Sequence, residues 1–108
     1  MLGSIIGDIV GSVYEFNNIK TKDFLLFGPK NNFTDDSIMT VAVTDWLLRD
    51  STFSHKALEE SMIWFAYEYP CPMGGYGGMF LRWAKMGPGT PAFGSYGNGS
   101  AMRVSACA

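Results

Sequence analysis

The chain has 108 residues, 47% of them apolar, 15% aromatic and 17% charged, with seven methionines and a net charge of −2. That length fits one small domain, residues 1–108. The scattered basic residues exclude a footprint for nucleic-acid backbone, and no apolar run is long enough to span a bilayer. The charged share is well under the roughly 25% usual for globular chains, so one small core cannot hide all the apolar surface. Self-association, or a complementing chain, is expected.

Leu2 to Tyr14 carries apolar residues at 2, 5, 6, 9, 10, 13 and 14, a helical spacing. Gly3, Gly7 and Gly11 recur every four residues and form a smooth ridge that would let another backbone approach. Asp8, Ser12 and Glu15 share a polar stripe, either a solvated face or an acidic edge lining a polar cavity. The segment lacks a basic leader and has Asp8 in its middle, which argues against a signal peptide. Asn17 to Asn32 reads as a long loop with one short apolar piece, Phe24 to Phe27.

Phe33-Thr34-Asp35-Asp36-Ser37 follows, just before the most apolar run, Ile38 to Leu48. Thr34 is a good N-cap, and Asp35 and Asp36 fall in the first turn, where the helix dipole favours negative charge. A capped helix start accounts for the pattern. So does a metal site, since a hydroxyl and two adjacent carboxylates are hard oxygen ligands of the kind Mg²⁺ or Mn²⁺ takes. The run to Leu48 is apolar nearly all round, which places it deep in a core, and Asp45 within it needs a partner if buried.

Ser54 can cap a third helix running to about Tyr69, ended by Pro70 and Pro72. His55, the one histidine, lies in its first turn and is assigned no catalytic role. Met73 to Gly78 is a glycine-dense turn ahead of a short helix, Met79 to Met86; such a loop can cradle an anion, or simply join two helices. After a second glycine-rich loop, Gly87 to Gly97, the residues Asn98 to Val104 look like the start of a fourth long helix. Cys71 and Cys107 sit in no metal-ligand spacing and are expected to be free thiols in a cytoplasmic protein.

Four separated stretches together resemble the ADP-ribosylglycohydrolase family. They are Gly7-Asp8-Ile9-Val10-Gly11-Ser12 with Glu15, Phe33 to Ser37, Gly75-Tyr76-Gly77-Gly78, and Gly97-Asn98-Gly99-Ser100-Ala101-Met102-Arg103. They occur in the family's order over essentially the whole chain. The resemblance implies an all-α fold, a partial orthogonal bundle of four to five helices with long Gly-rich loops, around a binuclear Mg²⁺ or Mn²⁺ site. It implies Mg-dependent hydrolysis of the glycosidic bond between ADP-ribose and a protein side chain or small acceptor. By the same resemblance Thr34, Asp35 and Asp36 are metal ligands, and Glu15 and Asp36 are catalytic. Gly75, Tyr76, Gly77, Gly78, Asn98, Gly99 and Ser100 are walls of the ADP-ribose pocket. Asp8 and Arg103 match family motifs in structural or supporting roles. The resemblance covers only the amino-terminal part of the family, whose metal site is completed by a carboxyl-terminal Asp-x-Asp-Ser/Thr motif not found in these 108 residues. Partners implied are ADP-ribose or an ADP-ribosylated protein, with a second copy or a complementing fragment. A non-catalytic ADP-ribose-binding module and a structural oligomer are the alternatives to the hydrolase.

Overall fold

The computed structural model describes residues 1–108 and is all-α. Five helices follow in order: α1 (Leu2–Gly11), α2 (Asp35–Arg49), α3 (His55–Glu68), α4 (Gly78–Met86) and α5 (Gly99–Met102). Short 3₁₀ turns follow α1 (Ser12–Tyr14) and α5 (Val104–Ala106).

The helix starts are local chemistry. The Thr34 hydroxyl accepts from the Asp36 N–H at 3.2 Å, and the Ser54 hydroxyl accepts from the Ala57 N–H at 3.2 Å, so each satisfies an orphan donor of its first turn. The α2–α3 connection is drawn tight by Asp50, which accepts from both Thr52 and Ser54. Those bonds hold its carboxyl well below the ordinary range. Asp45, half-buried, is paired with Arg49 at 2.7 Å.

The core forms where one face of α2 (Ile38, Met39, Ala42) meets α3 (Met62, Phe65, Ala66) and α4 (Trp83, Ala84), with Tyr76 closing it. The far side of α2 is open: Leu48 is 82% exposed and Val41 37%. The burial on all sides expected from the apolar pattern of this helix is therefore met only on the face toward α3 and α4. Likewise α1 buries none of its residues. The expected close approach along Gly3, Gly7 and Gly11 does not occur, because nothing lies within 4 Å of a Cβ built at any of them. The accessible surface is 7429 Å². A compact monomer of 11.9 kDa would expose about 5,900 Å². The Cα radius of gyration is 14.6 Å, against about 13 Å for a compact domain of this length.

Two sequence expectations are corrected at helix ends. The first helix tightens into 3₁₀ geometry at Ser12, whose hydroxyl donates back to the Ile9 carbonyl at 2.8 Å and accepts from the Asn32 N–H at 3.2 Å. The long helix expected from Asn98 is one turn only. Asn98 makes no side-chain cap, and Gly99 and Ser100 are poor helix formers, so the turn has little to propagate it. It is held from outside, by the fully buried Thr40 hydroxyl donating to the Met102 carbonyl at 3.3 Å. No helix is long and apolar enough to cross a membrane.

Candidate active site

The site is assembled at the amino terminus of α2, and its organiser is Asp8 on α1. The carboxylate of Asp8 accepts four hydrogen bonds. Its Oδ2 takes the Thr34 N–H at 2.9 Å, the Ser37 N–H at 3.2 Å and the Ser37 hydroxyl at 2.6 Å. Its Oδ1 takes the Thr34 hydroxyl at 2.6 Å. Asp8 is 26 residues from Thr34, and the intervening loop returns to α1 through Asn31. The Asn31 amide donates to the Ile9 and Val10 carbonyls at 2.9 and 3.2 Å, and its Oδ1 accepts from the Gly28 N–H. The loop thus satisfies the orphan carbonyls at the end of α1 and delivers Thr34 onto Asp8.

This clamp sets one wall of a cavity of 540 Å³. Asp8, Ser12 and Glu15 line it from α1, its 3₁₀ turn and the residue after that turn; Thr34, Asp35 and Asp36 line it from the cap and first turn of α2. Of the two readings of the polar stripe, the cavity edge is therefore the one the fold adopts. The glycine turn supplies the third wall. A parallel bridge between Thr34 and Met73 brings it alongside, and Gly74 and Gly75 adopt φ of +79° and +74°. Gly74 has a φ that favours glycine, and its lack of a Cβ leaves room for the Glu15 carboxyl, whose Oε2 would lie 2.8 Å from one.

The electrostatics are those of an uncompensated acidic pocket. Burial, then Asp36, pushes the Asp35 carboxyl up to about 6. Burial and Asp8 raise Asp36. Partial burial, then Asp36 and Asp8, raises Glu15. No cation of the chain is paired with any of them; the two ion pairs are Arg49–Asp45 and Lys56–Glu60. A pocket whose acids raise one another, beside a hydroxyl, has the donor chemistry of a hard divalent cation. The Thr34 oxygen donates to Asp8 and accepts from Asp36 N–H, which leaves one lone pair for an ion. No three carboxylate, imidazole or thiolate groups converge closely enough to hold a metal by themselves.

The other predicted site residues divide. Gly75, Tyr76, Gly77 and Asn98 line the acidic cavity. Gly78, Gly99 and Ser100 line a second cavity, of 580 Å³, which shares Asp35, Gly77 and Asn98 with the first. Tyr76 is a core residue: its hydroxyl donates to the Tyr69 carbonyl at 2.8 Å, and burial, then Asp35, pushes it up to about 12. It offers its ring and backbone, not its hydroxyl. Sequence reasoning missed Ser37 and Asn31 as parts of the clamp, and Gly74 as the residue against Glu15. The closeness of Ser37 to Thr34 in the motif was the one signal available for the first.

The family model described as ADP-ribosylglycohydrolase matches residues 1–108. Among curated proteins the chain is similar to ADP-ribosylhydrolase ARH3 of Xenopus tropicalis, with 32% identity over 129 residues, covering 96% of this chain and 36% of that protein. The chain thus spans about a third of the length of the curated relative it matches. No solved structure matches significantly.

Proposed function

The chain belongs to the ADP-ribosylglycohydrolase family, and on that premise we propose that its acidic cavity is the ribose end of an ADP-ribose site, built to hydrolyse the bond from ADP-ribose to its acceptor. The observation that carries this reading is the convergence on one cavity of Glu15, Thr34, Asp35, Asp36, the glycine turn and Asn98, from stretches up to 83 positions apart in the chain.

Thr34, Asp35 and Asp36 would hold Mg²⁺ or Mn²⁺, with remaining positions taken by water or groups outside this set. When bound, the metal would supply Lewis acidity and a grip on neighbouring ribose hydroxyls. Glu15 lines the cavity with its carboxyl raised by burial and then by Asp36 and Asp8, and it can exchange a proton with water or with the scissile linkage where it lies within hydrogen-bond reach. Asp36, raised in the same way, orients a hydroxyl or shares that proton. Gly77 and the Asn98 turn bring backbone close to the ligand without side-chain bulk.

The test is release of ADP-ribose from ADP-ribosylated protein by the folded chain in Mg²⁺ or Mn²⁺. Turnover should fall at least about 100-fold in Glu15→Gln. Zero turnover, together with calorimetric ADP-ribose binding, would move the reading to a non-catalytic binding module; neither turnover nor binding would leave a structural role.

A second proposal concerns assembly. The surface exceeds that of a compact monomer by more than the ~800 Å² per partner of a standard interface. Leu2 and Ile6 on α1 and Leu48 on α2 are exposed. We therefore expect a dimer or larger oligomer by light scattering; a monodisperse monomer at high concentration would contradict it. A cytoplasmic location is proposed from the two free, exposed thiols, Cys71 and Cys107.

A further inference from the structure

Asp8 lines the acidic cavity, yet its carboxylate is committed to the protein. Its Oδ2 takes three donors and its Oδ1 takes the Thr34 hydroxyl, which leaves little acceptor capacity for anything in the cavity. An amide oxygen at the same place could serve the three donors on Oδ2. What an amide that keeps those three cannot do is accept the Thr34 proton, because its second terminal atom is a donor.

That proton decides what Thr34 offers the cavity. A threonine oxygen has one proton and two lone pairs. The proton is donated to Asp8 Oδ1 across 2.6 Å, and one lone pair takes the Asp36 N–H at 3.2 Å. Thr34 is buried but lines the cavity, so its second lone pair is left for a cavity ligand. The bond to a charged acceptor also raises the electron density on the Thr34 oxygen, which makes it a stronger donor to a hard cation. With asparagine at position 8 the bond must reverse. The amide NH₂ would donate to Thr34, both lone pairs would be filled, and the hydroxyl proton would be freed toward the cavity. Asp8 is held in its turn by Ser37, whose N–H and hydroxyl reach Oδ2 at 3.2 and 2.6 Å and which is not itself a wall of the cavity.

We propose that Asp8 is a positioning residue for the cation end of this site: by taking the Thr34 proton it turns the Thr34 oxygen into a pure acceptor toward a divalent cation, and Ser37 aligns Asp8 for that task. This deepens the reading of Thr34, Asp35 and Asp36 as the metal-holding residues and rests on it.

The experiment is Mn²⁺ titration of the 108-residue chain, by calorimetry and by the paramagnetic resonance signal of free Mn²⁺, with circular dichroism on every variant. Asp8→Asn should weaken Mn²⁺ binding about 10- to 100-fold. Thr34→Val, which removes the oxygen, should weaken it by a similar factor, and Thr34→Ser, which keeps the oxygen, by less than about threefold. The double variant separates positioning from charge. If Asp8 acts through the Thr34 oxygen, Asp8→Asn adds less than about twofold to the loss from Thr34→Val. Losses that multiply would show that Asp8 attracts the cation by its charge alone and would overturn the proposal, as would Asp8→Asn binding within about twofold of wild type. Should Asp8→Asn not fold, Ser37→Ala carries the test. It should weaken Mn²⁺ about threefold in the wild-type background and not beside Thr34→Val; equal losses in both would overturn the proposal. Wild type that binds no Mn²⁺ would end the metal reading and this inference together. Wild type that binds Mn²⁺ beside an unaffected Asp8→Asn would end the inference and leave the metal reading standing.

Discussion

Asp8→Ala is expected to lower the unfolding free energy by about 3 kcal/mol or more, a large share of the roughly 5–15 kcal/mol that holds a domain folded. The carboxylate is the sole partner of the Thr34 and Ser37 hydroxyl protons and takes both amides as well. Thr34 and Ser37 are 4% and 6% exposed, so water cannot readily replace what alanine removes. Hydrogen bonds to a charged group are worth about 1.5–3 kcal/mol each, and a stranded buried donor costs a similar amount. Asp8→Asn should lose less, about 1–2 kcal/mol. Its oxygen can still serve the three donors now on Oδ2, and only the Thr34 hydroxyl bond must reverse. Urea titrations followed by circular dichroism measure both. A loss below about 1 kcal/mol in the alanine variant would show that Asp8 does not hold α2 to α1.

Much of this arrangement is legible in the sequence, because it is written locally. The caps at Thr34 and Ser54 and the apolar runs after them predict α2 and α3 to within a residue or two. The glycine turn before α4 is equally plain. What escapes is long-range. The stripe of Asp8, Ser12 and Glu15 shows three polar residues on one helix face; that Asp8 meets Thr34 depends on a loop closed by Asn31, which has no periodicity to read. Gly74 reads as one glycine of several until its Cβ position is set against Glu15. The turn at Asn98 misleads because a short run of small residues resembles a helix start, whereas α5 exists through its bond to Thr40. The glycine ridge of α1 predicts a close neighbour, and no element of these 108 residues lies against it. A sequence records the faces an element needs covered without stating which segment covers them.

The same separation of local stability from site chemistry underlies the second large effect, at Asp35. Its carboxyl is held at about 6 against an ordinary 3.8, so the metal-free fold favours the protonated form. The sign follows from proton counting: between those two values the folded state binds more protons than the unfolded, and stability falls as pH rises through the window. Asp36 and Glu15 are raised and act in the same direction. For a fully desolvated carboxylate the shift would correspond to about 3 kcal/mol; Asp35 is half-buried, and screening by water reduces it to about 1 kcal/mol. Without metal, Asp35→Asn should therefore be more stable than wild type above pH 6 by about 1 kcal/mol and equal to it near pH 4. Added Mg²⁺ should invert the order at pH 7.5. Wild type should gain stability with metal concentration, by about 2.7 kcal/mol at a hundredfold excess over Kd, while Asp35→Asn stays flat. Thermal melts across pH and Mg²⁺ concentration read both arms. A variant that is no more stable without metal would show that Asp35 is not strained by its neighbours. A variant that responds to Mg²⁺ as wild type does would remove Asp35 from the ligand set, and the acidic end of α2 would be left as a helix start whose charges serve its dipole alone.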